Sequence, residues 1–197
     1  MAALSALHPY ILPHVPNVPE MAIDRAIVDG AIQFCRDTLA WQQTLDPLRV
    51  MPGVRDYDIE PMGAEPVRVL AAVLADVAAL DRTTLAGADL TRVGTPAAFV
   101  QPAPRLLQLV ETPRERSSLV LRVAVEPTMG AASLDDGLVR YWREPIAAAA
   151  LVRLQLTYGD AARAQTAEQA YRLGADRATA QAQTGLARGR LRTRPVP

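Results

Sequence analysis

The chain has 197 residues, and its 21 basic and 21 acidic side chains cancel to a formal net charge of zero. Zero net charge argues against a bulk electrostatic DNA-binding protein, which normally carries a basic excess. The single cysteine excludes an intramolecular disulfide framework and a cysteine-rich zinc site. No run of about 20 apolar residues and no signal-peptide pattern is present, so the sequence predicts a soluble, unexported protein with no membrane partner.

The first 18 residues form a proline-rich segment that predicts an extended arm. Pro9, Pro13 and Pro16 each restrict their own φ and bias the preceding residue toward extended geometry. Asn17 is a good N-cap, and apolar residues then recur at helical spacing. We therefore predict a helix within residues 19–40 that ends near Thr38.

Residues 41–130 are typical of a small, mostly antiparallel β subdomain. Residues 41–50 and 55–59 are predicted to form one hairpin, and residues 105–110 and 119–125 a second pair. Alternating apolar residues over 67–73 predict a half-buried strand. The glycines and prolines between residues 84 and 104 predict irregular structure.

Residues 133–186 are predicted to form a pair of long helices. Ser133 is a plausible N-cap for the first helix, and Pro145 is expected to kink it. The second helix, over residues 161–186, has small residues and one tyrosine along one side. These side chains can pack on the preceding helix or form a subunit or portal interface: Ala164, Tyr171, Ala175, Ala178 and Ala182.

The last segment, residues 187–197, has no acidic residue and is predicted to be a mobile basic tail. Its arginines are candidate contacts to a portal or to DNA: Arg188, Arg190, Arg192 and Arg194. Counting along the chain, residues 1–60 have four arginines and eight acids, whereas residues 160–197 have seven arginines and three acids. Such opposite ends could pair between copies, or could be an ordinary uneven surface.

Candidate catalytic residues are few. Cys35 lies on the first predicted helix, where a lone cysteine is usually a small buried hydrophobe. A nucleophilic cysteine needs a base, and the only histidines are His8 and His14 in the proline-rich arm. Their spacing does not match a metal motif. The sequence therefore predicts a protein that is not an enzyme, with no catalytic, cofactor-binding or metal-binding residue.

A series of short motifs resembles, in order, the head-to-tail adaptor (connector) proteins of tailed bacteriophages. The series covers nearly the whole chain, and its order is more specific than any single motif. The motifs are the sequence from Leu12 to Pro19, Phe34-Cys35-Arg36-Asp37-Thr38 with Trp41, Tyr57-Asp58-Ile59, the strand from Val67, Gly94-Thr95-Pro96, Val123-Ala124-Val125-Glu126-Pro127, Leu134-Asp135-Asp136 with Tyr141 and Ile146, and Ala170-Tyr171.

The resemblance implies a fold and a role. The fold is a single α+β adaptor domain, in which a helical bundle of the N-terminal helix and the C-terminal helix pair carries the small β subdomain. The role is to form a ring, commonly dodecameric, at the neck of the virion. The ring subunit is made in the cytoplasm of the bacterial host. It binds the portal protein on one side and the tail or a stopper or nozzle protein on the other. Genomic DNA passes through its channel without sequence-specific binding, and the family implies no enzymatic residues.

Two other interpretations remain open. The chain could be another phage neck component, such as a head-completion or tail-terminator protein, although a terminal pair of long helices is not expected of those. It could also be a small enzyme that uses Cys35 with His8 or His14.

Overall fold

The computed structural model describes residues 1–75 and 78–184, an α+β protein in which a three-helix bundle packs beside two small sheets. It begins with strand β1 (Ala2–Ala3), a 3-10 turn, helix α1 (His8–Ile11) and a second 3-10 turn over Leu12–His14.

The prediction of an extended arm is therefore wrong. Pro9 and Pro13 fall in the first turn of short helical segments, where a missing N–H costs no hydrogen bond. Burial of Leu7 and Ile11 in the helical core stabilises these turns.

Helix α2 (Glu20–Thr38) confirms the predicted first long helix. Its N-cap is Pro19, with no side-chain cap, so the assignment of Asn17 as the cap is wrong. The residue after the helix, Leu39, is its C-cap, with a left-handed backbone (φ of 53°) and an N–H that donates to the Cys35 carbonyl. Apolar residues from Ile23 to Cys35 make up its buried face.

The centre of the chain contains short strands around two long ones. They are β2 (Gln42–Thr44), β3 (Leu48–Val50), β4 (Asp56–Asp58), β5 (Glu65–Leu74), β6 (Ala78–Ala79), β7 (Asp81–Arg82), β8 (Val93–Gly94), β9 (Ala98–Ala103), β10 (Leu106–Val110), β11 (Thr112–Pro113), β12 (Ser117–Glu126) and β13 (Ser133–Leu134).

These strands form two principal sheets that share one core. The first sheet has the order β2-β12-β5-β6, with β3 pairing β12 beside β2. The second sheet has the order β4-β10-β9-β7. Most pairs are antiparallel, and β7 with β9 and β8 with β11 are the parallel ones among the pairs described. Side chains from both sheets pack in one apolar cluster that includes Tyr57, Phe99 and Leu121.

The strand over residues 67–73 is confirmed by β5, but both predicted pairings are wrong. Strands β2 and β3 pair with β12 and β4 pairs with β10, so residues 41–50 and 55–59 are not a hairpin. Strand β10 lies in the second sheet and β12 in the first. Strand β9 also occupies part of the segment predicted to be irregular. Pairing between strands distant in the chain is decided by the shared core, which local periodicity does not encode.

Helices α3 (Asp136–Tyr158) and α4 (Ala161–Thr184) complete the bundle, and each contacts α2 and the other. The N-cap of α3 is Asp135, whose carboxylate accepts from the Gly137 and Leu138 N–H groups, so the assignment of Ser133 is wrong. The predicted kink is confirmed, because Pro145 lies inside α3 and Trp142 has non-helical dihedrals of −128° and 19°.

Two glycines allow the three helices to approach closely. A Cβ on Gly30 of α2 would lie 3.0 Å from backbone atoms of Ile146 and Ala150 on α3. A Cβ on Gly174 of α4 would lie 2.6 Å from the Pro145 Cβ. The helical core therefore depends on the absence of a side chain at both crossings.

Candidate functional site

The helical bundle meets the β part at a group of four polar residues, which we call the junction: Arg36, Asp37, Glu126 and Tyr171. Arg36 and Asp37 lie side by side in the last turn of α2, Glu126 ends β12, and Tyr171 lies in the middle of α4. The first three belong to two motifs of the adaptor resemblance, and Tyr171 belongs to a third. Contacts within the junction connect these separate motifs.

The ion pair between Arg36 and Glu126 connects α2 to β12. The Arg36 Nε and Nη2 atoms each donate to one Glu126 carboxylate oxygen, both at 2.6 Å. The Glu126 side chain is only 10% exposed, whereas that of Arg36 is 61% exposed. The hydrogen bond to Glu126 raises the pKa of the Arg36 guanidinium above its ordinary value. The two-point geometry fixes the direction as well as the distance between helix and strand.

The hydrogen bond between Tyr171 and Asp37 connects α4 to the same turn of α2. The Tyr171 hydroxyl donates to Asp37 Oδ2. Burial raises the pKa of Tyr171 well above its usual range, and the hydrogen bond to the Asp37 carboxylate adds to the effect. The phenol is therefore a neutral hydrogen-bond donor, and it orients α4 relative to α2.

The chain passes from α2 into the first sheet through Trp41. This side chain packs against both the helical and the β core. Its carbonyl accepts from the Val125 N–H at 2.9 Å, one residue before the junction glutamate. Helix α2 and strand β12 are thus held together by backbone, aromatic and ionic contacts. The junction can fix the orientation of the β part, but it contains no nucleophile paired with a base.

The predicted interface residues on α4 lie mainly inside the subunit. Ala164, Tyr171 and Ala178 are buried within the single chain, and Ala175 and Ala182 are half-buried. Tyr171 and Ala178 belong to the helical core, against which Ala175 also packs. Assigning this face to another subunit is therefore wrong for the three buried residues, because the small side chains serve the crossing of α4 with α2 and α3.

The four tail arginines, Arg188, Arg190, Arg192 and Arg194, lie outside the described residues. The role predicted for them in portal or DNA contacts stays a prediction.

The geometry does not support a cysteine nucleophile. Cys35 is fully buried, and burial together with the charges of Glu126 and Asp135 raises the pKa of its thiol far above its ordinary value. The His8 imidazole lies 2.7 Å from an Asp24 carboxylate oxygen, and His14 offers its backbone carbonyl to the Gln155 amide. A protonated thiol with no adjacent base is a poor nucleophile.

Within residues 1–75 and 78–184, no cluster of three or more histidine, cysteine, aspartate or glutamate side chains has metal-binding geometry. No helix in the same part of the chain is both long and apolar enough to span a membrane.

Two charged clefts at the surface of the β part were not anticipated as sites. The acidic cleft contains Asp46, Asp58 and Glu60 together with Arg49. The basic cleft contains Arg68 and Arg82, with Arg36 and Asp37 of the junction at its border. The acidic excess of residues 1–60 was a signal for the first cleft. Nothing in the sequence indicated the basic cleft, because Arg68 and Arg82 come from separate strands in a stretch of the sequence with balanced charge.

Comparisons with known proteins give no match: neither a protein-family model nor a curated protein sequence matches this chain.

Proposed function

We propose that this chain is a structural subunit of a bacteriophage neck, which assembles as a ring between the portal and the tail. The observation that carries the proposal is the meeting of three resemblance motifs at the junction. The motif Phe34 to Thr38 supplies Arg36 and Asp37, the motif Val123 to Pro127 supplies Glu126, and the motif Ala170-Tyr171 supplies the phenol. Residues scattered over the sequence thus act together to hold one arrangement of bundle and β part.

A rigid junction suits a ring subunit for a geometric reason. Head-to-tail contacts between copies are heterologous, and they close into a ring only when each subunit holds its two faces at the right rotation. A β part that swung freely on the bundle would give open or irregular assemblies. The bidentate ion pair restricts that motion, and the buried phenol holds α4 against α2 within the bundle. The ring extends the DNA channel and offers a platform to the tail, and its action is binding and not catalysis.

Electron microscopy with the portal protein of the same virus tests the proposal. The purified chain is mixed with portal rings and, separately, with tail tubes. We expect a ring of density coaxial with the portal. Capping of tail tubes without portal binding would assign the chain to the tail-terminator class. The absence of any ring or portal complex would refute the adaptor role.

The arginine tail supplies a second test of the same proposal. We propose that residues 187–197 contact the portal or the DNA path. A variant with all four tail arginines replaced by serine is expected to dock weakly or to lose packaged DNA. As a control for the loss of arginines elsewhere, a second variant replaces Arg163, Arg172 and Arg177 of α4 with serine. Normal docking and DNA retention in the tail variant would eliminate the role of the tail, while leaving ring formation intact.

A further inference from the structure

Two clefts of opposite charge lie at opposite edges of the β part. In the first sheet, Leu119 of β12 pairs with Leu48 of β3 on one side and with Leu74 of β5 on the other. Strands β2 and β3 therefore lie at one edge, and β5 and β6 lie at the opposite edge. In the second sheet, β4 and β7 are the two outer strands.

The chain itself shows which edges of the two sheets correspond. Strands β6 and β7 are separated only by Leu80, so this chain segment crosses from the first sheet to the second at one edge. Strands β3 and β4 follow one another at the other edge, where the Tyr57 hydroxyl donates to the Val54 carbonyl and accepts from the Met51 N–H. The β part thus has one edge made of β2, β3 and β4 and another made of β5, β6 and β7.

The acidic cleft belongs to the first of these edges. Asp46 lies between β2 and β3, Asp58 ends β4, and Glu60 follows it. All three side chains are exposed, and Arg49 is the one basic side chain in the lining. Met62, which is 86% exposed, adds apolar surface at the rim. The cleft combines an excess of negative charge with an uncovered apolar side chain.

The basic cleft belongs to the opposite edge. Arg68 lies on β5 and Arg82 on β7, and both are exposed. The Arg82 guanidinium has its pKa lowered, first by partial burial and then by the positive charge of Arg68. The other charged groups in the lining are already engaged, Arg36 with Glu126 and Asp37 with Tyr171. Two like charges are therefore left close together.

The charges of the two clefts form no ion pair in the described part of the chain. The Arg105 guanidinium, whose pKa is raised first by its hydrogen bond to Glu65, also lies within the electrostatic influence of Glu60. Ion pairs form elsewhere on the β part, between Arg105 and Glu65 and between Arg92 and Glu111. Among residues 1–75 and 78–184, no ion pair involves any member of the two sets, which are Asp46, Asp58 and Glu60 on one side and Arg68 and Arg82 on the other.

We propose that neighbouring copies of this chain bind edge to edge, with Arg68 and Arg82 of one copy entering the acidic cleft of the next. A second copy fits because the two surfaces are complementary in charge and lie at opposite edges of one subunit. That arrangement allows every copy to use both surfaces and generates the heterologous contact of a ring or filament. The proposal rests on the ring-forming function and names the surface that forms the ring.

Charge reversal tests the contact and can restore it. One variant carries Asp58→Arg with Glu60→Arg, and a second carries Arg68→Glu with Arg82→Glu. In either variant alone, the two clefts that meet between neighbouring copies carry charge of the same sign. We therefore expect self-association to weaken at least about tenfold at low salt. An equimolar mixture of the two variants restores attraction at every contact, and so does a single chain that carries all four substitutions. Both are expected to assemble as the wild type does.

A matched control and a measure of folding separate the contact from general effects of charge. Arg114→Glu with Arg116→Glu changes the net charge by as much as the second variant does, in the exposed turn before β12, and these residues line neither cleft. Sedimentation velocity and native mass spectrometry measure assembly, and circular dichroism establishes that each variant is folded. The control is expected to assemble normally, and wild-type assembly is expected to weaken as salt rises.

The outcomes distinguish the contact from the function on which it rests. If the wild type assembles and the two reversed variants assemble equally well, the contact is wrong and the adaptor function stands. Failure of the mixture and of the fourfold variant to recover also overturns the contact. If the second variant loses affinity for duplex DNA but keeps its self-association, the basic cleft serves DNA instead. A wild-type chain that stays monomeric alone and with the portal refutes both proposals.

Discussion

Removing Arg36 should destabilise the protein by leaving the Glu126 carboxylate without its partner. Loss of one member of a fully buried ion pair costs about 3–5 kcal/mol, because the remaining charge is desolvated and uncompensated. Here Glu126 is 10% exposed but Arg36 is 61% exposed, so water can enter where the guanidinium was. We therefore expect Arg36→Ala to lower the free energy of unfolding by about 2 kcal/mol, roughly half the fully buried value.

The reverse substitution should cost less. Glu126→Ala leaves the exposed Arg36 guanidinium, which can turn into water, so the loss is expected to be about 1 kcal/mol. The double variant retains no orphan charge, and its loss should be smaller than the sum of the two single losses. This asymmetry separates a desolvation cost from simple loss of packing.

Arg25→Ala is the control, because Arg25 also lies on α2, pairs with Asp29 four residues later and donates from Nη1 to the Met129 carbonyl at 3.1 Å, all at an exposed site. Those side chains are 51% and 29% exposed, and exposed pairs of this kind contribute about 0.3–0.5 kcal/mol. Urea unfolding followed by circular dichroism measures each variant. A shift of about 2 kcal/mol corresponds to roughly 4–8 °C in Tm for a chain of this size. If Arg36→Ala and Arg25→Ala unfold alike, the junction does not stabilise the fold as reasoned.

Three further substitutions or conditions test the packing of the helices. Gly174→Ala places a Cβ 2.6 Å from the rigid Pro145 ring, and overpacking of about 1–3 kcal/mol should outweigh the helix propensity gained by alanine. Tyr171→Phe removes the hydrogen bond to Asp37 and should cost about 1–2 kcal/mol in urea unfolding. Burial keeps Cys35 protonated in the folded state, whereas the unfolded thiol ionises above its ordinary pKa of about 8.5. Stability should therefore fall as pH rises past that value, and Cys35→Ala should reduce the fall.

Control substitutions show which results would contradict the three predictions above. Gly130→Ala meets no atom within 4 Å and should leave stability unchanged or slightly higher. If Gly174→Ala behaves in the same way, α4 does not pack tightly on the kink. Tyr158→Phe alters a phenol that is 54% exposed and should be neutral, so an equal loss in both tyrosine variants would contradict the role of the junction. Rapid labelling of Cys35 by a thiol reagent in the native state would contradict its burial.

The long helices were predictable because their signals are local. Apolar spacing identified α2 and its end near Thr38, and the second helix of the C-terminal pair was predicted to begin at residue 161, as α4 does. Pro145 identified the kink, since a proline removes a helical hydrogen bond wherever it lies. Alternation identified β5. In each case, interactions within a few residues decide the structure.

The caps and the N-terminal arm show where local signals compete. Asn17 and Ser133 are good capping residues, but the caps are Pro19 for α2 and Asp135 for α3, and the Asp135 carboxylate accepts from two N–H groups of the first turn. The prolines of the arm are compatible with both extended and short helical conformations. Burial of Leu7 and Ile11 against the bundle stabilises the helical turns relative to an extended conformation.

The amino-acid sequence alone determined the α+β class, the presence and approximate positions of the long helices and the unequal distribution of charge. The tertiary structure decided the strand pairings, the burial of Ala164, Tyr171 and Ala178 within the subunit, and the assembly of the two charged clefts. The physical reason is the range of the interactions. Helical periodicity and proline geometry act over a few residues, whereas Arg68 with Arg82, or Arg36 with Glu126, meet only when distant segments share a core.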